Sequence, residues 1–347
     1  MSSSFEEFHD ELRSVACDLL AKDTVVDWSA LVEAGWVGLE VSDELGGAGA
    51  TFREVAIVCE EMGRAASTSS YLGSAVLTVA ALNALQPSSF RDQLLSDIAA
   101  GTVRAAVAVG SFTLDSNQRL SGRAEFVPDA DGADRLLVVA TDPDGIPVVV
   151  EATGAARPAT SGVAAVMAQP VLDETRRQAT VEANDIAAEA VWRFEQGFQQ
   201  LRDRAAVAIA CDSLGLAEAM LSATVSYAGV RHQFGRPIGS FQAVKHACAD
   251  MAVQIAVARQ LVGAAVDAVA DDRPDATTAA SMAKAYACGA AVDVVGKAMQ
   301  LHGGIGYTWE SGIHVYLKRA ALNRSLFGSP AAHRKHLAQR YLNTIQE

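Results

Sequence analysis

Arg231-His232-Gln233-Phe234-Gly235-Arg236-Pro237-Ile238-Gly239-Ser240-Phe241-Gln242 is the stretch on which the reading of this chain turns. It separates two helical patterns, one from Leu216 to about Val230 and one from Phe241 onward, and its two glycines and proline permit the reversal between them. A guanidinium bridges two oxygens of an anion, and the open amides of a helix start favour the same charge. A helix hairpin with a solvated arginine explains the segment as well, so its neighbours have to decide. Downstream, Phe241, Val244, Cys248, Met251, Ile255, Ala258 and Val262 step by threes and fours over three heptads, the packing face of a long bundle helix. After a break at Asp271-Asp272-Arg273-Pro274, a second helix of small residues runs from about Thr277 to Gln300. It ends in Gln300-Leu301-His302-Gly303-Gly304-Ile305-Gly306-Tyr307. One glycine terminates a helix; three in four positions leave amides that a ligand can approach closely.

Upstream the period changes. Pro128, Pro143, Pro147, Pro158 and Pro170 crowd a region that cannot be helical, and Val103–Val109, Arg135–Ala140, Pro147–Val150 and Ala179–Glu182 have strand character between turn signals. Before it, Phe8, Leu12, Val15 and Leu19 form one stripe of an amphipathic helix. Gly46, Gly47 and Gly49 read as a turn, since no strand precedes them as a dinucleotide fingerprint requires, and Thr51 with Glu54 forms a capping box for the next helix. The expected plan is mainly α with a central β domain: helices over 1–100, a β-barrel-like domain over 101–190, and a four-helix bundle over 191–347.

Charge narrows the partners. The 347 residues hold 28 Lys and Arg against 41 Asp and Glu, a net −13, so there is no basic field for nucleic acid. The start carries Glu6, Glu7 and Asp10 where a secretory signal would be basic. The longest uncharged stretch, Ser67–Phe90, has an apolar centre about half a membrane span long, so no membrane span is expected. Cys17, Cys59, Cys211, Cys248 and Cys288 lie far apart in alanine-rich contexts, which predicts reduced thiols at helix interfaces, no metal site, and an intracellular setting.

Taken in order, these segments resemble the acyl-CoA dehydrogenase family, flavoproteins with helical, β and helical-bundle domains. The resemblance covers most of the chain. It runs from Leu31 to Gly49 and through Glu60-Glu61-Met62-Gly63-Arg64, and is strongest over Arg231–Lys245 with Ala249-Asp250-Met251 and over Gln300–Tyr307. It implies FAD as cofactor, with Arg231, Gln233, Phe234, Gln242, Gln300, Gly303 and Gly304 on its diphosphate and adenine side, largely across a subunit interface. It also implies an acyl-CoA substrate, an electron-transfer flavoprotein as acceptor, and cytoplasmic β-oxidation.

Dehydrogenation of an acyl thioester needs a carboxylate to take the α proton. Where family members usually carry an aromatic-Glu-Gly-Thr segment this chain has Leu326-Phe327-Gly328-Ser329, and Phe327 cannot take a proton. Some members place the base ten residues before a Leu-Gly that resembles Leu214-Gly215; that position is Ala205. Asp212, two helical turns further along the same face, is the candidate base, and Asp203 is out of register. The family's Thr-Glu and Trp-Ile-Thr segments, which face the flavin ring, are replaced by Val109-Gly110-Ser111-Phe112 and Phe126-Val127-Pro128. Three readings follow: a half-site subunit completing the FAD site of a longer related partner in a heterotetramer, a homo-oligomeric dehydrogenase with a non-standard base, and a helical scaffold that has lost FAD.

Overall fold

The structure is a computed structural model and describes residues 8–152, 164–188, 190–194 and 197–346. Glu6, Glu7 and Pro158 lie outside the described residues. The helical elements are α1 (His9–Lys22), α2 (Trp28–Glu33), α3 (Phe52–Arg64), a π-helical segment Leu72–Thr78, α4 (Val79–Asn83), α5 (Ser89–Ala99), α6 (Gly197–Val230), α7 (Gln242–Ala270), α8 (Ala276–His302), α9 (Ile313–Ser325) and α10 (Pro330–Gln346). Between α5 and α6 come β1 (Ala105–Leu114), β2 (Arg119–Pro128), β3 (Arg135–Thr141), β4 (Pro147–Glu151), β5 (Ala165–Ala168), β6 (Gln178–Ala187) and β7 (Val191–Arg193).

Contacts gather the chain into two compact units. One unit contains Val25–Val55 and Thr68–Ala205, the other Glu7–Thr24, Ala56–Ser67 and Ala206–Glu347. The helices of 1–100 are thus divided between the units, and the division falls inside α3 and α6. Continuous helices hide such a boundary from a reading that looks for linkers.

In the first unit the strands form one sheet in the order β5-β6-β2-β1-β3-β4-β7, antiparallel except for the β1–β3 pair. Among the described residues β5 and β7 are its two edges, so the sheet is open where a barrel-like closure was expected. Leu136–Ala140 of β3 are all buried, which explains why this strand reads as a continuous apolar run. The β2 strand escaped notice because Arg119, Arg123 and Glu125 interrupt its pattern. Gly110 and Gly122 let β1 and β2 approach: a Cβ on Gly110 would lie 2.6 Å from Ala124 Cβ. The π-helical segment is held by Asp129, whose Oδ2 accepts from Gly73 N at 2.7 Å, and by Ser74 Oγ, which donates to Ala105 O at 2.7 Å.

The capping box forms: the Glu54 carboxylate accepts from Thr51 N at 2.7 Å, and Thr51 Oγ1 accepts from Arg53 N at 3.2 Å. Gly46 and Gly49 take positive φ, as their turn requires.

The second unit is helical. Met251, Ile255, Ala258 and Val262 of α7 are buried as their spacing predicts, joined by Ala265 and Ala268. The α1 stripe is corrected. Ala16 and Leu20 are buried, whereas Phe8 and Val15 are exposed, because Arg13 turns the helix to reach Glu60 and Glu61 at 3.0 Å each. α3 and α6 meet backbone to backbone at Gly63 and Gly215, where a Cβ would strike the Asp212 and Glu60 carbonyls. Both α6 and α7 are long and apolar enough to cross a membrane by length and composition, which a search for uncharged runs passes over because isolated charges break them. Most of α6 is buried inside the molecule.

Candidate functional site

The Arg231 segment is built as a tight hairpin. α6 stops at Val230, the next residue's amide donates to Tyr227 O at 2.9 Å, and β8 (His232–Gln233) pairs with β9 (Arg236–Pro237). The two residues at its tip, Phe234 and Gly235, have φ of 55° and 78°, the signature of a primed two-residue turn. Ile238 N donates to Arg231 O at 2.7 Å and closes the base. Gly239 is required by packing, since a Cβ there would lie 2.9 Å from Ala228 O. Phe234 is 92% exposed, its ring edge-on to Phe241 at 6.2 Å, while the Arg236 guanidinium lies 4.1 Å over the Phe241 ring. Arg231, Gln233 and Gln242 are exposed with it.

The glycine segment begins where α8 ends. His302 stacks on Tyr227 with ring centroids 4.5 Å apart, so the C-terminal ends of α6 and α8 touch and both turns issue from the same end of the helical unit. The three glycines have three different reasons. Gly303 has φ 63° and ψ −142°, a conformation reserved for glycine. Gly306 is demanded by packing, a Cβ there falling 2.5 Å from Met299 O. Gly304 has neither reason: its φ is ordinary and a Cβ would meet nothing within 4 Å. The open space above it suits a ligand approaching the backbone. Gln300 is exposed beside it and accepts from Lys297 Nζ at 3.2 Å.

The same end carries an aromatic surface that the sequence reading left unnamed. Tyr307 and Trp309 are largely exposed; Trp309 packs edge-on against His314 at 4.4 Å and under Lys318 at 5.1 Å. Two aromatic residues in a glycine loop were the available signal.

Asp212, the candidate base, lies within α6. Its carboxylate is buried and gripped from two sides: Arg319 Nε donates to Oδ1 at 3.1 Å, Arg319 Nη2 to Oδ2 at 2.5 Å, and Asn323 Nδ2 to Oδ1 at 2.6 Å. Arg319 also donates to Ser67 O at 2.6 Å. The bidentate pair with Arg319 is a buried ion pair that joins α6 to α9. Asp203 accepts from Gln199 Nε2 at 2.9 Å.

The Leu326–Ser329 turn keeps a strained backbone without a carboxylate. Phe327 and Gly328 have φ of 53° and 99°. Lys284 Nζ, buried in α8, donates to Asn323 O and Gly328 O at 2.9 Å each, and burial pushes its pKa down. His333 Nε2 lies 3.0 Å from Phe327 O. Position and support of the turn are present; the proton acceptor is not. Burial likewise raises the pKa of the Cys211 and Cys288 thiols, in keeping with packing roles, and none of the five cysteines is in a disulfide. Cys17 departs from the interface expectation by being exposed. Among the described residues no cluster of His, Cys, Asp or Glu is arranged to hold a metal.

Helices, one mixed sheet and a helical unit, in that order along the chain, are the arrangement of the acyl-CoA dehydrogenase fold. Sequence profiles of the acyl-CoA dehydrogenase N-terminal and C-terminal domains match residues 6–102 and 195–342. Acyl-CoA dehydrogenase IpdE2 of Mycobacterium tuberculosis is 36% identical over 306 residues, covering 87% of this chain and 82% of that protein. The Tcur3481-Tcur3483 steroid ACAD G363A variant superposes with a TM-score of 0.88 at 26% identity, over 99% of this chain and 100% of that one. The ChsE4-ChsE5 complex from Mycobacterium tuberculosis gives 0.88 at 22% identity, over 99% of each chain, and shares the fold. The chain belongs to the acyl-CoA dehydrogenase family, whose cofactor is FAD.

Proposed function

We propose that this chain is a half-site subunit of an acyl-CoA dehydrogenase, completing the FAD site of a longer related chain in a hetero-oligomer. Arg231, Gln233, Phe234 and Gln242 from the hairpin, with Gln300, Gly303 and Gly304 from the glycine loop, would hold the diphosphate and adenosine end of the cofactor. Arg231 supplies the cation, Gly304 the close backbone approach, and Phe234 an apolar cover that excludes water. When bound, FAD supplies the hydride acceptor for dehydrogenation between the α and β carbons of an acyl-CoA. The longer chain would provide the carboxylate base and the ring contacts, and an electron-transfer flavoprotein in the cytoplasm would accept the electrons.

The observation that carries this reading is Phe327, an apolar ring in the turn where the family keeps its base. The engagement of Asp212 with Arg319 speaks against a homo-oligomeric enzyme that draws on that residue. A glycine at 304 that neither backbone angle nor packing requires speaks against a scaffold with no use for FAD. Visible spectroscopy separates the readings. The chain expressed alone is expected to be colourless, and to yield a yellow complex, bleached by acyl-CoA, when co-expressed with a longer related subunit. A chain that is yellow alone and bleaches on acyl-CoA would overturn the proposal in favour of an independent enzyme.

A further inference from the structure

From Ser311 to Gln346 the chain holds six Lys and Arg, three His and no Asp or Glu, within a molecule of net charge −13. A solvated helix ordinarily mixes the two signs, as α1 does with Asp10, Glu11, Arg13, Asp18 and Lys22. α10 does not. It lies on α8 through His333, whose Nδ1 is 3.3 Å from Ser281 Oγ, and through Arg340, which donates to Thr278 Oγ1. The later residue of α10 meets the earlier one of α8, so the two helices run antiparallel, with the half-buried Leu337 between these contacts. At 3.6 residues per turn that leaves Ala331, Arg334, Lys335, Ala338 and Gln339 on the outer face, and all five are exposed. Arg324, in the last turn of α9, is exposed as well.

These cations are not neutralised from within. Arg119, Arg123 and Arg273 also reach solvent, and each holds a carboxylate at 2.7–2.8 Å. Among the described residues Arg324, Arg334 and Lys335 hold none. In a chain with 41 acidic side chains to 28 basic ones, adjacent cations left without an acid mark a surface for an anion from outside. The surface stands apart from the cofactor turns: Ser281 and Gly303 bound a stretch of α8 about 33 Å long at 1.5 Å per residue.

The rest of the surface selects the kind of anion. Besides its cations the outer face of α10 offers Ala331, Ala338 and Gln339, with no aromatic or large aliphatic side chain to enter a bilayer. A vesicle or a nucleic acid presents its charge over many screening lengths and meets the negative field of the whole molecule. A short acidic segment meets only the cations within a screening length of it, about 8–10 Å at physiological salt. We infer that the outer face of α10, together with Arg324, is a docking surface for an Asp- and Glu-rich segment of a partner protein. It uses none of the residues assigned to the cofactor and stands whether or not a flavin is held.

Fluorescence anisotropy of a labelled peptide of alternating Glu and Ala residues, titrated with the full chain, tests it. A molecule of net −13 repels such a peptide unless a local basic site captures it. Saturable binding is expected, weakening as salt is raised. Arg334→Glu with Lys335→Glu is expected to weaken it by about tenfold or more, with thermal unfolding unchanged because both side chains stand in water. Lys22→Glu with Lys245→Glu makes the same change in net charge at two other exposed lysines, and should leave binding within about twofold of the parent. Arg334→Gln with Lys335→Gln repeats the test without placing acids on α10. Absence of peptide binding, equal weakening by the two charge-reversed pairs, or binding of phosphatidylglycerol vesicles or duplex DNA in preference to the peptide overturns the inference.

Discussion

A buried carboxylate is either a reagent or a strut, and its neighbours decide which. Asp212 sits on the right face of the right helix to act as a base, yet Arg319 and Asn323 occupy both its oxygens. Asp212→Ala would leave the Arg319 guanidinium buried and unpaired, and is expected to cost about 3–5 kcal/mol of stability. Urea unfolding measures this; a change in flavin bleaching with stability intact would restore Asp212 to the chemistry. The glycines divide in the same way. Gly306→Ala drives a Cβ against the Met299 carbonyl and should destabilise the chain by about 1–3 kcal/mol. Gly304→Ala meets nothing and should leave unfolding unchanged while lowering the flavin content of the co-expressed complex. The sequence shows three glycines alike; their separate reasons, backbone angle, packing and open space, exist only in three dimensions.

At the level of elements, periodicity located the long helices well and their rotation less well. From Met251 to Val262 the inward stripe of α7 falls where the heptads put it, whereas Phe241, Val244 and Cys248 at its start are only partly buried. The α1 stripe is shorter, and the Arg13 pairs with Glu60 and Glu61 are enough to rotate it by one position. Val15→Ser is therefore expected to change stability by no more than about 0.5 kcal/mol. Leu20→Ala should cost about 2–5 kcal/mol by opening a cavity, a contrast that thermal unfolding resolves. In the sheet, the strands that were found are those with unbroken apolar runs, such as β3. β2 alternates charge with burial, and β5 and β7 have four and three residues, too few for a pattern to declare itself.

Across the whole molecule, an exposed surface that the isolated chain does not need is the clearest mark of assembly. Phe234, at the tip of its hairpin, contributes little to the chain's own fold, so Phe234→Ser is expected to leave unfolding within about 0.5 kcal/mol of the parent. The same substitution should strip colour from the complex with the longer chain, and an unaltered spectrum would remove Phe234 from the shared site. The order of helices, strands and helices, the two glycine-bearing turns that end α6 and α8, and the phenylalanine at 327 were all legible in the linear chain, because each is a local matter of period, turn chemistry or residue type. The fate of Asp212, the open edges of the sheet, and the units that cut through α3 and α6 were decided only in the tertiary structure. These depend on which distant residues meet: a carboxylate's role is set by an arginine 107 positions away, and no local pattern carries that information.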